Sequence, residues 1–294
     1  MDRTKTIAAL TAVLAAALAL DACSGGIRAI RVGSKNFTEQ VVLGEIIAQH
    51  IENRLHIKVE RSLNLGGTLL AHQALINGQI DLYPEYTGTA LAAVLKEPVS
   101  ADAVAVLSRV RSEYARRFQV DWLDPLGIDN GFAMVVPSSA KASTLSDAAK
   151  QAPGAGWKLG VGYEFEQRAD GLEALKKTYG LRFGAIQTMD LGLLYKALGD
   201  GQVGMIAANA TDGLLSKLDL KVLADDRHAF PPYEVGIEVR QATLIETPGL
   251  REALAELSGK FSNAKMQQLN FQVDGRHESV NQVAQHFLEQ AGLR

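Results

Sequence analysis

A seven-residue pattern occurs twice in this chain, and the repeat constrains the fold more than any other feature. Residues 74–80 read Ala-Leu-Ile-Asn-Gly-Gln-Ile, and residues 197–203 read Ala-Leu-Gly-Asp-Gly-Gln-Val, 123 positions later. A glycine that stops a helix in the left-handed conformation suits the fifth position of both copies. The pattern therefore predicts two helices, Leu69 to Asn77 and Leu191 to Gly199, each followed by a short apolar strand, Ile80 to Tyr83 and Val203 to Ala207.

The repeat extends upstream of both copies. Val32-Gly33 and Val161-Gly162 each close an apolar strand, and an amphipathic helix follows each of them, Val41 to Ile51 and Ala169 to Tyr179. Helices that alternate with short apolar strands indicate α/β layers. We therefore predict two related α/β lobes with a cleft between them, which is a usual place for a small-molecule site.

The lobe boundaries follow from two strands with the pattern of crossings between the lobes, Phe132 to Val136 and Gly236 to Val239. We predict that residues 23–131 and 236–294 form a discontinuous first lobe, and that residues 132–235 form the second. The predicted C-terminal helices, Gly249 to Leu257 and Gly275 to Leu293, return to the first lobe. Two connecting strands make a hinge, and closure around a ligand is a known motion for such pairs of lobes.

The N-terminus has the pattern of an export signal. Arg3 and Lys5 precede an apolar run at residues 7–20, which is shorter than the roughly 20 residues that a membrane-spanning helix needs and is typical of a signal peptide. The run ends in Leu-Asp-Ala-Cys, which resembles the bacterial lipobox, although Asp21 departs from the small or β-branched residue usual there. We predict a lipoprotein signal peptide at residues 1–22 and lipidation of Cys23, which would tether the body outside the cytoplasm, in the periplasm or on the outer face of the cell membrane. The alternative is a buried structural thiol.

Composition and missing motifs exclude several classes of function. With 30 Lys and Arg against 33 Asp and Glu, the chain lacks the basic surface that a general nucleic-acid binder needs. A single cysteine excludes an internal disulfide and a cysteine-based metal cluster, and the six histidines are scattered. The sequence contains no G-x-S-x-G elbow, no Walker A pattern and no H-E-x-x-H. We therefore predict no catalytic residue, no metal, no cofactor and no enzyme activity.

Candidate binding residues stand where strands end and helices begin. Residues 83–89, Tyr-Pro-Glu-Tyr-Thr-Gly-Thr, offer ring faces, hydroxyls and N–H groups, although a capped turn with core tyrosines is an alternative. Lys35 lies in the turn after the first predicted strand and could bind an anion. Arg168 could bind a carboxylate with its fork of donors, or it could be an ordinary solvated helix residue. Tyr233 stands on a stiff loop after Pro231 and Pro232.

Five segments together resemble the substrate-binding proteins of ABC importers for glycine betaine, choline, carnitine and proline betaine. They are Gly33 to Gln40, Asp81 to Thr89, Glu164 to Gly171, Thr211-Asp212-Gly213 and Phe230 to Tyr233. The resemblance runs from about Ile30 to the C-terminus. It implies a two-lobed periplasmic-binding-protein (Venus flytrap) fold and a monomer that binds a small amine in the cleft. Its partner would be a membrane permease with a cytoplasmic ATPase.

The resemblance also implies roles for individual residues. In that family a box of aromatic side chains holds the cationic head of the ligand, and basic and polar groups hold its carboxylate. Ring faces suit a quaternary ammonium because it has no N–H to donate. By this resemblance Tyr86 and Tyr233 are box tyrosines, and the remaining matches are polar. These are Lys35, Gln40, Thr89 and Arg168 at the polar end, Asn130 in the loop before the crossing strand, and Thr211 in the Thr-Asp-Gly segment.

Two positions depart from the family pattern. Phe132 stands where a tyrosine is frequent, so the ring is kept and the hydroxyl is lost. Asn209 stands where a box tyrosine is expected, and it is also the repeat equivalent of Tyr86. Either another ring, Tyr163 or Phe165, fills the gap and the ligand is glycine betaine or choline, or the open wall suits an amine with hydrogen-bonding groups, such as ergothioneine or an amino-acid-like compound. A sensor module and an enzyme on the same scaffold are further alternatives.

Overall fold

The computed structural model describes residues 29–151 and 157–294, and these residues form two five-stranded sheets. The predicted signal peptide and Cys23 lie outside the described residues. The strands are β1 (Ile30–Gly33), β2 (Val59–Ser62), β3 (Leu82–Tyr86), β4 (Val120–Trp122), β5 (Phe132–Pro137), β6 (Trp157–Val161), β7 (Phe183–Thr188), β8 (Met205–Asn209), β9 (Leu220–Leu223) and β10 (Val235–Arg240).

Helices cover both sheets, which confirms the predicted α/β class. The α-helices of the described residues are α1 (Thr38–Leu55), α2 (Thr68–Ile76), α3 (Thr87–Thr89), α4 (Ala103–Phe118), α5 (Leu145–Gln151), α6 (Tyr163–Gln167), α7 (Ala174–Tyr179), α8 (Leu191–Gly199), α9 (Gln241–Glu246), α10 (Leu250–Ala255), α11 (Asn263–Asp274) and α12 (Val280–Gln290). Wide π-type turns occur at Ala90–Leu95 and Ala169–Glu173, and a 3₁₀ turn at Gly213–Ser216. None of these helices has the length and apolar character needed to cross a bilayer.

The two sheets share one plan. The first sheet has the order β2-β1-β3-β10-β4, and the second has the order β7-β6-β8-β5-β9. In the first, β3 lies between parallel β1 and antiparallel β10. In the second, β8 lies between parallel β6 and antiparallel β5. The internal sequence repeat therefore corresponds to a repeated sheet, with β3 and β8 as the equivalent central strands.

The repeated glycines end the helices as the sequence predicts. Gly78 has φ of 68° and Gly201 has φ of 70°, which is the left-handed region that glycine adopts without steric cost. In both copies the next N–H reaches back into the helix, from Gln79 to Ala74 O at 2.8 Å and from Gln202 to Ala197 O at 2.9 Å. This closed turn occupies the residues in front of the strand, so β3 and β8 each begin two residues later than predicted.

The chain crosses between the sheets twice, after β4 and after β9. The strands that sequence analysis proposed as crossings are β5 in the second sheet and β10 in the first, and the crossing segments lie directly before them. An antiparallel bridge between Asp129 and Glu234 joins the two segments, and Asn130 N–H donates to Tyr233 O at 3.1 Å. Because the segments are paired side by side, their side chains enter the space between the sheets together.

Each sheet has its own apolar core. In the first core Ile46 and Ile47 of α1 pack with Leu254 of α10, Met266 of α11 and Phe287 of α12, all buried. The C-terminal helices therefore cover the first sheet. The core of the second sheet contains a cluster of buried apolar side chains that includes Val161 and Leu175.

The predicted helix over residues 169–179 is interrupted. Gly171 has non-helical backbone angles, with φ of −103° and ψ of −118°, inside the wide turn that precedes α7. A Cβ at this position would lie 2.2 Å from Phe165 O. The close approach of the two backbone segments explains the kink, which the helical pattern of side chains did not reveal.

Candidate functional site

A cleft of about 640 Å³ lies between the two sheets, a volume that suits a small-molecule ligand. Its walls come from the ends of β3 and β8, from the starts of α1, α6 and α8, and from the two crossing segments. Eight of the ten predicted binding residues line it: Lys35, Tyr86, Thr89, Asn130, Phe132, Arg168, Asn209 and Tyr233. Gln40 and Thr211 are fully buried behind the wall.

One wall of the cleft is aromatic. The ring centroid of Phe132 lies 4.8 Å from that of Phe165, 5.6 Å from Phe230 and 5.4 Å from Tyr233, and all three pairs meet edge to face. This is the favoured arrangement because the positive edge of one ring meets the negative face of another. Phe165 thus packs against Phe132, whereas Tyr163, the other ring considered for the gap at Asn209, lines the cleft with 56% of its surface exposed.

Tyr86 is held both at its ring and at its hydroxyl. The Phe37 ring stacks on it at a centroid distance of 6.2 Å, and the Lys35 ammonium lies 4.5 Å from its ring centroid. The Tyr86 hydroxyl donates to Glu39 Oε1 at 2.7 Å. The end of β3 is therefore a fixed part of the wall.

The two cationic side chains of the cleft already have anionic partners. Lys35 Nζ donates to Glu85 Oε1 at 2.6 Å. Arg168 donates to Asp170 through Nε at 2.9 Å and Nη2 at 2.5 Å. Glu85 and Asp170 are fully buried, and a buried charge is tolerated only when it is paired and hydrogen-bonded. The Tyr233 hydroxyl also donates to Asp170, at 2.7 Å, so this pair fixes a ring of the aromatic wall.

Glu39 is a site residue that sequence reasoning missed. It lies in the first turn of α1, lines the cleft, and is almost fully buried. Its carboxylate accepts hydrogen bonds from the Tyr86 hydroxyl, Asn130 Nδ2 at 2.9 Å and the Thr211 hydroxyl. Burial raises the pKa of Glu39, and these hydrogen bonds lower it only in part. The available signal was an acidic side chain in the first helical turn, where the helix dipole favours a negative charge.

The wall at Asn209 is polar. Asn209 is paired with Phe132 across β8 and β5, so this polar position adjoins the aromatic wall. Asp212 Oδ2 accepts from Tyr195 Oη at 2.9 Å and from Asn209 N at 3.1 Å, and Asp212 Oδ1 accepts from Asn209 Nδ2 at 3.4 Å. Burial, with a smaller contribution from the Glu39 charge, raises the pKa of Asp212 to about 6. Sequence analysis quoted Asp212 within a segment but assigned it no role.

A carboxylate joins the two sides of the cleft. Glu164 of α6 accepts from Thr68 N at 2.5 Å and from Thr68 Oγ1 at 3.0 Å, at the start of α2. Burial opposes ionisation of Glu164, but the Lys35 charge, the Thr68 hydrogen bonds and Arg168 outweigh it, so its pKa is lowered. A Cβ on Gly67 would lie 2.5 Å from Glu164 Oε1. Glycine therefore leaves room for this contact.

The groups that line the cleft are suited to binding a small molecule. Its walls supply rings, hydroxyls, amides and carboxylates whose partners hold them in place. In the part of the chain that the structure describes, no three His, Cys, Asp or Glu side chains are grouped so as to hold a metal ion.

Comparison with known proteins identifies the family. Residues 28–290 match the family model described as the substrate binding domain of ABC-type glycine betaine transport systems. The carnitine transport binding protein OpuCC of Listeria monocytogenes (strain 10403S) is 34% identical over 291 residues, which cover 94% of this chain and 93% of that protein. A solved structure described as a glycine betaine/carnitine/choline ABC transporter is 31% identical, with a TM-score of 0.76 over 90% of this chain and 99% of that one.

A further relative has a longer chain. The ergothioneine transport permease/ergothioneine binding protein EgtU of Helicobacter pylori (strain G27) is 33% identical over 267 residues, which are 89% of this chain. The chain spans about half the length of that relative, 47%. The matching family is one of solute-binding proteins and not of enzymes, and this chain belongs to it, as a substrate-binding domain of the ABC-type glycine betaine transport family.

Proposed function

We propose that the protein binds a betaine- or choline-type quaternary amine in the cleft and delivers it to an ABC permease. The observation that carries the proposal is the aromatic part of the cleft wall, where Phe165 and Tyr233 meet Phe132 edge to face and Phe230 packs against Phe132 outside the lining. A quaternary ammonium cannot donate an N–H, so ring faces are its natural partners, each contributing about 0.5–2 kcal/mol.

The electrostatics of the cleft support a ligand with a cationic head. Lys35 and Arg168 are neutralised by Glu85 and Asp170. Glu39 is held by neutral donors, and no lysine, arginine or histidine among residues 29–151 and 157–294 forms an ion pair with it. A buried carboxylate without a cation attracts a positive ligand strongly, since charges interact more strongly in a medium of low dielectric constant.

The site residues act in three groups in this proposal. Tyr86, Phe132 and Tyr233 supply rings for the cationic head. Thr89, Asn130, Lys35 and Arg168 supply polar contacts to the rest of the ligand, with the two cations sharing their donors between internal carboxylates and any acid group. Gln40 and Thr211 position the wall from behind, because Gln40 Oε1 accepts from Lys35 N at 3.2 Å and the Thr211 hydroxyl donates to Glu39.

The proposal includes the location of the protein and its lobes. Residues 1–22 direct export, Cys23 carries the lipid anchor, and two or more acyl chains hold the body stably at a membrane. Residues 23–131 with 236–294, and residues 132–235, are the two lobes that close on the ligand. Replacement of Cys23 by serine should release the exported protein from the membrane fraction.

A titration panel tests the proposed function. Purified residues 24–294 are titrated by calorimetry with glycine betaine, choline, carnitine, ergothioneine, proline and glutamate. We expect binding of at least one quaternary amine and no binding of glutamate. Tyr86→Ala should weaken that binding at least tenfold, while Tyr86→Phe, which keeps the ring, should retain most of it.

The control is Phe118→Ala, which removes a half-buried ring that does not line the cleft and should have little effect on affinity. Thermal unfolding of each variant confirms that it is folded. Absence of heat with every quaternary amine, or equal affinities for the wild type and Tyr86→Ala, would refute the proposal.

A further inference from the structure

The polar wall at the end of β8 contains an acceptor that the protein does not saturate. A carboxylate is an acceptor with two oxygens and about four lone-pair positions. Asp212 Oδ2 has two good hydrogen bonds, but the hydrogen bond to Asp212 Oδ1, from Asn209 Nδ2, is 3.4 Å long. This exceeds the usual N–H···O range of about 2.7–3.2 Å, so Oδ1 retains capacity for a further donor.

No positive side chain of the described residues neutralises Asp212. Its partners are the Tyr195 hydroxyl and the two N–H donors of Asn209, and the nearby charge that acts on it is that of Glu39, which is also negative. Glu39 is likewise held by neutral donors, whereas the two carboxylates behind the cations of the cleft are paired, Glu85 with Lys35 and Asp170 with Arg168. Asp212 therefore adds an uncompensated acceptor to the cleft.

The position of Asp212 is fixed relative to the aromatic wall. Asn209 and Phe132 are directly paired on adjacent strands, and Asp212 holds Asn209 through its backbone and its side chain. All three residues line the cleft. A ligand whose cationic head contacts the rings therefore places its neighbouring atoms beside the acceptor.

We propose that Asp212 Oδ1, beside Asn209, accepts a hydrogen bond from an N–H group that the ligand carries in addition to its quaternary head. The inference rests on the proposed function and narrows its ligand class to quaternary amines that also bear an N–H donor, such as one on a heteroaromatic ring. Glycine betaine has neither an N–H nor an O–H group, so it leaves this acceptor to water.

The test uses Asp212→Asn. Its amide oxygen can take the place of Oδ2 and still accept from Tyr195 Oη and Asn209 N, so its NH₂ group, which donates, takes the place of Oδ1. The probes are ergothioneine, which has ring N–H groups, and glycine betaine and proline betaine, which have no hydrogen-bond donor. We expect wild-type protein to bind the N–H probe at least tenfold more tightly than glycine betaine. In Asp212→Asn we expect a loss of at least tenfold for the N–H probe and less than threefold for the other two.

The matched control is Asp190→Asn, which removes a carboxylate from the same cleft wall at the start of α8. It should weaken all three probes by similar small factors. Equal losses for all probes in Asp212→Asn would overturn the inference, because they would indicate a general charge effect. Tighter binding of glycine betaine than of the N–H probe would also overturn it while leaving the proposed function intact. Binding of no probe at all would refute both.

Discussion

Removal of Glu164 tests whether the cleft is held closed by contacts of the protein itself. Its carboxylate bonds to Thr68 N and Thr68 Oγ1 across the cleft. Hydrogen bonds to a charged group contribute about 1.5–3 kcal/mol each. The Glu164 side chain is 43% exposed, so water competes for it, and we take about 2 kcal/mol for the two bonds together.

This free energy belongs to the closed form, because Thr68 and Glu164 lie on opposite sides of the cleft. A ligand that binds the closed form has an apparent affinity reduced by the fraction of protein that is closed. Since about 1.36 kcal/mol corresponds to a factor of ten, a loss of about 2 kcal/mol makes the closed form about thirtyfold less favourable. Glu164→Ala should therefore weaken ligand binding by about thirtyfold if the unliganded wild type is mostly open, and by about fivefold if it is mostly closed.

The matched control is Glu166→Ala. Glu166 lies on the same helix, but it accepts from Thr188 Oγ1 of β7 at 2.6 Å, on its own side of the cleft, so its removal should leave affinity unchanged. Calorimetry with a quaternary amine that binds the wild type measures the affinities. Small-angle scattering should show a larger radius of gyration for unliganded Glu164→Ala than for Glu166→Ala. Equal affinities and equal radii for the two variants would refute the reasoning.

Three further predictions concern buried charges. Burial, with the Glu85 charge, raises the pKa of Glu238 well above its usual 4.5. Its contribution to the free energy of unfolding therefore falls as the pH rises above 4.5, because there the unfolded chain loses this proton and the folded protein keeps it. Glu238→Gln should decline less in thermal stability between pH 5 and pH 8 than the wild type, and parallel curves would contradict this. Arg168→Ala leaves the fully buried Asp170 unpaired and should cost about 3–5 kcal/mol in denaturant unfolding without ligand; a loss below about 1 kcal/mol would exclude a buried ion pair. Burial, with a smaller contribution from the Glu39 charge, raises the pKa of Asp212 to about 6, so Asp212 gains a proton between pH 7 and pH 5. Affinity for an N–H-bearing quaternary amine should fall over this range, whereas affinity for glycine betaine should fall less; identical pH profiles would contradict it.

The sequence determined the architecture because the fold depends on local patterns. The two copies of Ala-Leu-x-x-Gly-Gln predicted a helix, a left-handed glycine and a strand at each site, and all of these are present. Hydrophobic periodicity and turn residues indicate secondary structure, and both can be read from consecutive positions of the sequence. The ring positions 86, 132 and 233 followed from the resemblance to a family, and the structure places them around one cleft.

The partners of charged side chains were decided only by the tertiary structure. Lys35 is 50 residues from Glu85 in the chain, and Glu164 is 96 residues from Thr68. Sequence alone presented Lys35 and Arg168 as free cations, but the fold pairs both of them with buried carboxylates. The fold also places Glu39 and Asp212 in the cleft lining, where their hydrogen-bond partners are neutral donors. A charge is defined by what surrounds it after burial, and the surroundings come from segments that no local pattern connects.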